Sequence, residues 1–204
     1  TGLEPQWCDQ IAQLRTAAPF LVHRLWLDRP VRADRPAFMG TGGLPPLDNI
    51  SVLERYETEA AEWAARTGGS VVELHAYSVT DDSPALRRDL LARLHALYPE
   101  TASAEVVFEK ALCRSDCPRL APGDFARRPT VATPHPGLTL AGDGIRIDLP
   151  VALMERAATT GLVAANTLLD HFGVAGHDVY TVPVRGRSAV LRHFADRVER
   201  GKTP

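Results

Sequence analysis

The sequence predicts an α+β chain: a mixed or antiparallel sheet with a helical layer, followed by a strand–turn–helix unit. Three observations predict it. Strand-like and helix-like segments alternate through the first half of the chain, and the helices between them are short. The 204 residues are 45% hydrophobic and 24% charged, enough apolar mass to offset the ordering entropy of a packed domain. A short apolar segment before Gly142 runs straight into a small acidic turn, and an alanine- and glycine-rich helix follows.

The elements follow in order. Trp7, Ile11 and Leu14 recur at helical spacing, so residues 5–17 read as a helix that Pro19 stops. Residues 20–27, FLVHRLWL, read as a strand with Leu21, Leu25 and Leu27 on one face and Phe20, Val22 and Trp26 on the other. Residues 29–36 and 37–48 are proline- and glycine-bearing loops, and 49–53 a short strand. Leu53, Tyr56, Ala60 and Trp63 mark a helix over 54–66, closed by Gly68 in a left-handed cap. Residues 70–79 are rich in β-branched and aromatic side chains and read as a strand.

Ser83 and Pro84 start the next helix as N-cap and first-turn residue, with Asp81 and Asp82 at its positive end. Its buried stripe is Leu86, Leu90, Leu94 and Leu97, and Pro99 ends it. Residues 104–112 read as a third strand, and the five prolines between Arg114 and Pro136 as irregular chain. Pro150 opens a helix that Gly173 closes, with Met154, Ala157, Ala158, Gly161, Ala165, Leu168, Leu169 and Phe172 facing inward. Residues 174–184 read as extended. Residues 188–200 read as a final amphipathic helix, with Val190, Leu191, Phe194 and Val198 inward and arginines outward.

Composition narrows the function. Lys+Arg number 23 and Asp+Glu 25, a formal charge of −2, which lacks the basic excess of a nucleic-acid footprint. No apolar run approaches the roughly 18 residues of a membrane span. Three cysteines point to a reducing compartment, and Cys113-x-x-x-Cys117 lacks the second pair a metal site would need, so no metal is expected. No nucleophile-elbow context surrounds Ser188. His23 and His75 fall in strands, where a substrate-facing role competes with the commoner one of a satisfied core residue. Arg185, Arg187, Arg192, Arg197 and Arg200 make the last helix basic, either a solvated face or a surface for anionic lipid.

The strand–turn–helix unit has the chemistry of a ligand site. A helix N-terminus offers free N–H groups and a positive dipole end to a phosphate or carbonyl oxygen. Gly142 leaves room for close approach, and Asp143 can accept from a ribose or ribityl hydroxyl. The same pattern also describes an ordinary turn with a helix-capping acid.

The segment LAGDGIRIDLPVALMERAATTGLVAANTLL resembles the C-terminal flavin-binding motif of the flavin amine oxidase and carotenoid desaturase superfamily. Leu140, Gly142, Asp143, Pro150, Met154, Glu155, Ala157, Gly161, Ala164 and Ala165 match it in order. Upstream, FLVHRLWLDRPV, LPPLDNISVLERYE and AARTGGSVVELHAY resemble the substrate domain of carotenoid desaturases. Within these the nearest likeness is to the bacterial carotene desaturase/methyltransferase group, the isorenieratene-synthase type. The resemblance covers most of residues 1–172.

The resemblance implies that residues 1–130 form a substrate-binding region and 131–173 the C-terminal strand–helix piece of a Rossmann-like FAD-binding domain. Residues 174–204 are then an extension carrying the amphipathic helix. It implies FAD as cofactor, with Gly142, Asp143, Pro150 and Met154 at the flavin side. Asp143 would lie against the ribityl–pyrophosphate part, and the Met154 backbone would face the flavin ring carbonyl. Catalytic residues are not named by the motif. The dinucleotide-binding glycine fingerprint of the superfamily's N-terminal part is absent: Gly40-Thr41-Gly42-Gly43 runs into Leu44-Pro45-Pro46, which forbids the helix that would hold the phosphate.

These features, with Thr1 in place of an initiator methionine, lead to the expectation of a C-terminal fragment of an FAD-dependent oxidoreductase that desaturates a carotenoid-like polyene. The expected partners are a lipophilic small molecule, a peripheral membrane surface, and the missing N-terminal FAD-binding half in cis or in trans. No nucleic acid is expected. The expected location is the cytoplasm, with membrane association. Two alternatives stand beside this reading. One is a flavin amine oxidase, which 6% aromatic residues serve poorly as a cage for a cationic substrate. The other is a truncated, non-catalytic chain that needs a separate FAD-binding partner.

Overall fold

A computed structural model describes residues 4–182 and 186–200. The chain divides into two compact units. One is residues 16–117; the other combines residues 1–15 with 118–204.

The unit over 16–117 is a five-stranded sheet with helices. Its strands are β1 (Phe20–Leu27), β2 (Phe38–Gly40), β3 (Asn49–Val52), β4 (Ser70–Ala76) and β5 (Val106–Arg114). Their order is β2-β3-β4-β1-β5, and every neighbouring pair is antiparallel. The open choice between a mixed and an antiparallel sheet is thus settled as antiparallel. Two helices belong to this unit, α2 (Thr58–Thr67) and α3 (Pro84–Leu97).

The strand period of two divides the sheet into unlike faces. Leu21, Leu25 and Leu27 of β1, Val72, Leu74 and Ala76 of β4 and Ile50 and Val52 of β3 form a dry core with Leu90, Leu94 and Tyr98. Each fully buried leucine there contributes about 1.5–3 kcal/mol. The opposite face holds Trp26 and Val71, which pack with Leu53, Ala60 and Trp63 at one end. The rest of that face mixes the polar residues Arg24, Ser51, Glu73 and His75 with Val22 and Leu112.

Local chemistry explains most boundaries. Gly68 has φ +74°, the left-handed cap expected after α2. The Ser83 hydroxyl accepts from the Leu86 N–H at 3.2 Å and caps α3. Other expectations need correction. Residues 37–48 are not all loop: β2 pairs with β3 because Phe38 and Met39 find Ser51 and Ile50 as partners. The helix expected over 54–66 is split, since a single 3₁₀ turn at Leu53–Arg55 precedes α2. The third strand is shifted to Val106–Arg114, and a bulge at the Trp26/Leu27 level sets its register.

The second unit holds helices α1 (Pro5–Ala12), α4 (Asp124–Arg127), α5 (Leu153–His171) and α6 (Ala189–Arg200). Helix α1 ends at Ala12, earlier than expected, because Arg15 donates back to the Ala12 carbonyl at 2.7 Å. The strand expected before Gly142 does not form. That stretch makes only isolated bridges, Thr130 with Arg146 and Ala132 with Thr139. The Thr133 hydroxyl lies 2.8 Å from the Leu138 carbonyl, and the Leu140 N–H donates to Val131 at 2.9 Å, so local partners consume its ladder groups.

The inward face expected for α5 is also wrong in part. Thr160 and Ala164 are its buried residues, while Met154, Leu168 and Phe172 are exposed. Val190, Leu191 and Phe194 of α6 are exposed too, against the expectation that they point inward. Arg185, Pro183 and Val184 lie outside the described residues, as do the side chains of Val198 and Arg200. Residues 174–182 form no strand.

Arg35 and Glu100 tie the loop after β1 to the end of α3. The Arg35 guanidinium donates through Nε and an Nη to the two Glu100 oxygens, both at 2.8 Å, and lies 4.5 Å over the Tyr98 ring. The hydrogen bonds from Arg35 outweigh burial and hold the Glu100 carboxyl at about 2. A depressed carboxyl contributes stability above its unfolded pKa of about 4.5, and that contribution disappears as pH falls toward 2. Glu100→Gln should therefore lower the melting temperature at pH 7, and the gap to the parent chain should close between pH 5 and pH 2 in thermal melts.

Candidate functional site

The turn and the start of α5 are joined by one hydroxyl and one guanidinium. Gly142 has φ +133°, a backbone conformation that favours glycine. Its N–H donates to the Thr160 hydroxyl at 2.9 Å. The same hydroxyl lies 3.1 Å from the Gly142 carbonyl, 2.8 Å from that of Arg156 and 3.0 Å from that of Ala157, one of which takes its single proton. Thr160 is fully buried. Arg156 reaches back one turn: its guanidinium donates to the Val151 carbonyl at 2.9 Å and to the Asp143 carbonyl at 3.3 Å.

These bonds place the motif residues. Gly142 and Asp143 are half-buried in the turn, and Pro150 is exposed in the segment before α5. The helix begins three residues after Pro150, not at it. Leu153 opens it with φ +48°, and the Val151 carbonyl is already committed to Arg156. Met154 is 81% exposed, which displaces it from the buried stripe but leaves it free to meet a ligand.

Electrostatics at this turn are unusual. Arg128 is buried, and one guanidinium nitrogen donates to the Arg119 carbonyl. Burial first, and then the nearby Arg156 charge, lower its pKa; Asp124 and Asp143 oppose them. Two cations and the helix N-terminus thus collect around Gly142–Gly144. The Ala152 side chain provides no cap, so the first-turn N–H groups of α5 are free of side-chain acceptors. Among the described residues, no hydrogen bond or ion pair engages the Asp143 carboxylate.

The polar face of the sheet carries a second constellation. Glu73, His75 and Tyr77 alternate along β4 and just past its end. The register sets Asn49, His75, Val22 and Leu112 in one row across β3, β4, β1 and β5, and Ser51, Glu73, Arg24 and Lys110 in the next. Arg24 donates to Glu73 Oε2 through Nε at 2.8 Å and lies 3.6 Å from Glu57. Glu73 Oε1 is 2.8 Å from His75 Nε2, and His75 Nδ1 is 3.1 Å from the Tyr77 hydroxyl. Asn49 Nδ2 donates to that hydroxyl at 3.1 Å. Burial pushes the Glu73 carboxyl up, but the bonds from His75 and Arg24 and the Arg24 charge prevail and hold it low.

His23 lies on the other face. Its Nε2 is 2.7 Å from Glu109, its Nδ1 is buried without a partner, and its side chain is 3% exposed. His23 and His75 are therefore not equivalent, a distinction the strand assignment alone did not make. The Glu73–His75–Tyr77 alternation was legible at period two, and it is the feature missed in reading the sequence.

The family described as flavin containing amine oxidoreductase matches residues 2–169. The chain belongs to that family. It is 56% identical over 194 residues to a carotenoid phi-ring synthase of Streptomyces griseus, covering 94% of this chain and 38% of that protein. It is 39% identical over 184 residues to a carotenoid phi-ring synthase of Chlorobaculum tepidum, covering 88% of this chain and 28% of that protein. The chain thus spans well under half the length of these relatives. A solved oxidoreductase from Methanosarcina mazei aligns at 19% identity with a TM-score of 0.42, over 68% of this chain and 31% of that one, a likeness too slight to build on.

Family membership implies a flavin cofactor. The residues present fit one: a free carboxylate at Asp143, an uncapped helix start, and an exposed Met154 beside it. The Thr160 hydroxyl is the buried fastener of this arrangement. Thr160→Val keeps its shape but leaves the Gly142 N–H without its acceptor. It should destabilise the full chain by about 1–3 kcal/mol, read by urea titration, and Thr160→Ser should recover most of the loss.

Proposed function

We propose that this chain provides the substrate-binding sheet and the flavin-side turn and helix of an FAD-dependent oxidoreductase that desaturates a carotenoid-like polyene. The 56% identity to a carotenoid phi-ring synthase over 94% of the chain carries this reading. The flavin, when bound, supplies the two-electron oxidation by accepting a hydride.

The chain's own residues do the rest. The Asp143 carboxylate would accept from ribityl hydroxyls, and Gly142, with no Cβ, keeps the turn open to the cofactor. Pro150 and the turn after it set the entry to α5, and the free N–H groups at Met154 would hold a carbonyl oxygen of the bound flavin. The unit over 16–117 presents its open sheet face to the apolar substrate. The glycine fingerprint that grips the adenine side lies outside these 204 residues, in cis or in trans, because the sequence contains none that leads into a helix.

A lipophilic substrate calls for contact with a membrane surface, and α6 suits it. Val190, Leu191 and Phe194 are exposed, with Arg187, Arg192 and Arg197 also exposed. Among the described residues, no helix is long and apolar enough to cross a bilayer. In this reading the apolar side chains of α6 would enter the interface and its arginines would meet anionic headgroups.

Two measurements test the reading. The flavin-bearing protein that carries this chain should yield FAD on release, and Asp143→Ala should weaken FAD retention about tenfold, the worth of one charge-assisted hydrogen bond. Retention unchanged by Asp143→Ala removes that residue from the site, and a protein that never binds flavin removes the function. In flotation assays the protein should follow vesicles containing phosphatidylglycerol in preference to pure phosphatidylcholine. Phe194→Asp should abolish that preference.

A further inference from the structure

A guanidinium buried without a counter-ion is costly, because one backbone carbonyl does not replace the lost hydration of a full charge. Arg128 is in that position. It is 6% exposed, and one of its nitrogens donates to the Arg119 carbonyl. Among the described residues it enters no ion pair. We infer that Arg128 is the anion-binding residue of the cofactor site, and that the anion it takes is the phosphate part of FAD. The inference rests on the proposed function and adds to it a cation that the flavin motif does not name.

Contacts within the unit that combines residues 1–15 with 118–204 place Arg128 beside the turn before α5. Its carbonyl partner Arg119 follows Pro118, whose side chain stands 3.7 Å from where a Cβ on Gly144 would lie. Pro129, the next residue along the chain, accepts the Arg146 N–H at 2.8 Å, and Thr130 bridges to Arg146. Neighbours of Arg128 thus hold the turn at both its ends. The nearby carboxylates do not neutralise the guanidinium. Asp124 is committed to Arg119 through two bonds of 3.0 Å and to the Ala121 N–H at 3.1 Å. Asp148 lies 3.3 Å from Arg146. Arg156 spends its guanidinium on the carbonyls of Val151 and Asp143 and adds a second positive charge.

The chemistry of the cofactor supplies what Arg128 lacks. The resemblance sets Asp143 against the ribityl–pyrophosphate part of FAD. A carboxylate and a pyrophosphate at one turn repel each other unless a cation stands beside them. The uncapped start of α5 offers about half a positive charge. Arg128 offers a whole one, in a planar fork that matches two phosphate oxygens. The guanidinium nitrogens left over from the Arg119 bond are the donors such an anion needs. The charge is already out of water in the free protein, so the site is pre-organised for its ligand.

The test uses the apoprotein of the flavin-bearing protein that carries this chain, and compares the parent with Arg128→Met and Arg128→Lys. Quenching of flavin fluorescence reads the affinity for FAD and for riboflavin, which has the ring and ribityl chain but no phosphate. FAD affinity should fall about tenfold to a hundredfold in Arg128→Met. Arg128→Lys, which keeps the charge and loses the fork, should lose less. Riboflavin should bind all three alike. Inorganic pyrophosphate should raise the melting temperature of the parent apoprotein and leave that of Arg128→Met unchanged. Without any ligand, Arg128→Met should melt no lower than the parent, since an unpaired buried charge is removed. Equal FAD affinity in parent and Arg128→Met overturns the inference and leaves the counter-ion to another part of the protein. Equal losses for FAD and riboflavin, or a ligand-free melt lowered in both variants, make Arg128 a residue of the fold and overturn it too. In each of these cases the parent still binds FAD and the flavoenzyme reading stands. A parent that takes up no FAD overturns that reading, and the inference with it.

Discussion

An arginine in the middle of the central strand governs the polar side of this sheet. Leu21, His23, Leu25 and Leu27 of β1 point into the core, so Arg24 has to point to the other face. There it is only about a third exposed, and a half-buried cation needs a partner. Glu73, directly opposite in the register, supplies it. The carboxylate that results has a second oxygen, which takes His75, and His75 has a second nitrogen, which takes Tyr77. One strand alternation therefore builds the whole polar row, with Asn49 as its buried end.

The turn before α5 is held together differently. It has no ladder to support it, since its expected strand never forms. A single threonine hydroxyl and the Arg156 guanidinium replace that ladder, drawing Gly142, Asp143 and Val151 to the first two turns of α5. The side chains there satisfy the backbone of the turn and leave the helix N-terminus itself unfilled. That is the arrangement a ligand with acceptor oxygens requires.

The sequence was most legible where periodicity was strong. Strand β1 was read at its true ends, and the Ser83 cap and Gly68 stop of α3 and α2 were visible as residue types. Legibility failed where tertiary partners decide. Phe38–Gly40 is too short to show alternation, and only β3 makes it a strand. Leu138–Leu140 looks like a strand, and only the absence of a ladder there makes it a loop. The faces of α5 and α6 were misread because an apolar stripe shows which side is hydrophobic, not whether anything in the chain covers it. For the site, the flavin motif named Gly142, Asp143, Pro150 and Met154, but neither Thr160 nor Arg156, whose importance lies in what they bond.

The two strand histidines show how placement turns one residue type into two chemistries. His23 and His75 are in adjacent strands, both beside a glutamate and an arginine. His23 faces the core: its glutamate is on the edge strand with a side chain 51% exposed, and its second nitrogen meets nothing. His75 faces outward: its glutamate is the more buried one, and its second nitrogen leads through a hydroxyl to the surface. The half-buried carboxylate fixes the ring, and the exposed tyrosine closes the row. The reverse ordering at His23 makes it part of the packing. A strand that slipped by one residue would turn its histidine to the opposite face, so the hydrophobic faces of β1 and β4, which forbid that slip, keep His23 in the core and His75 outward.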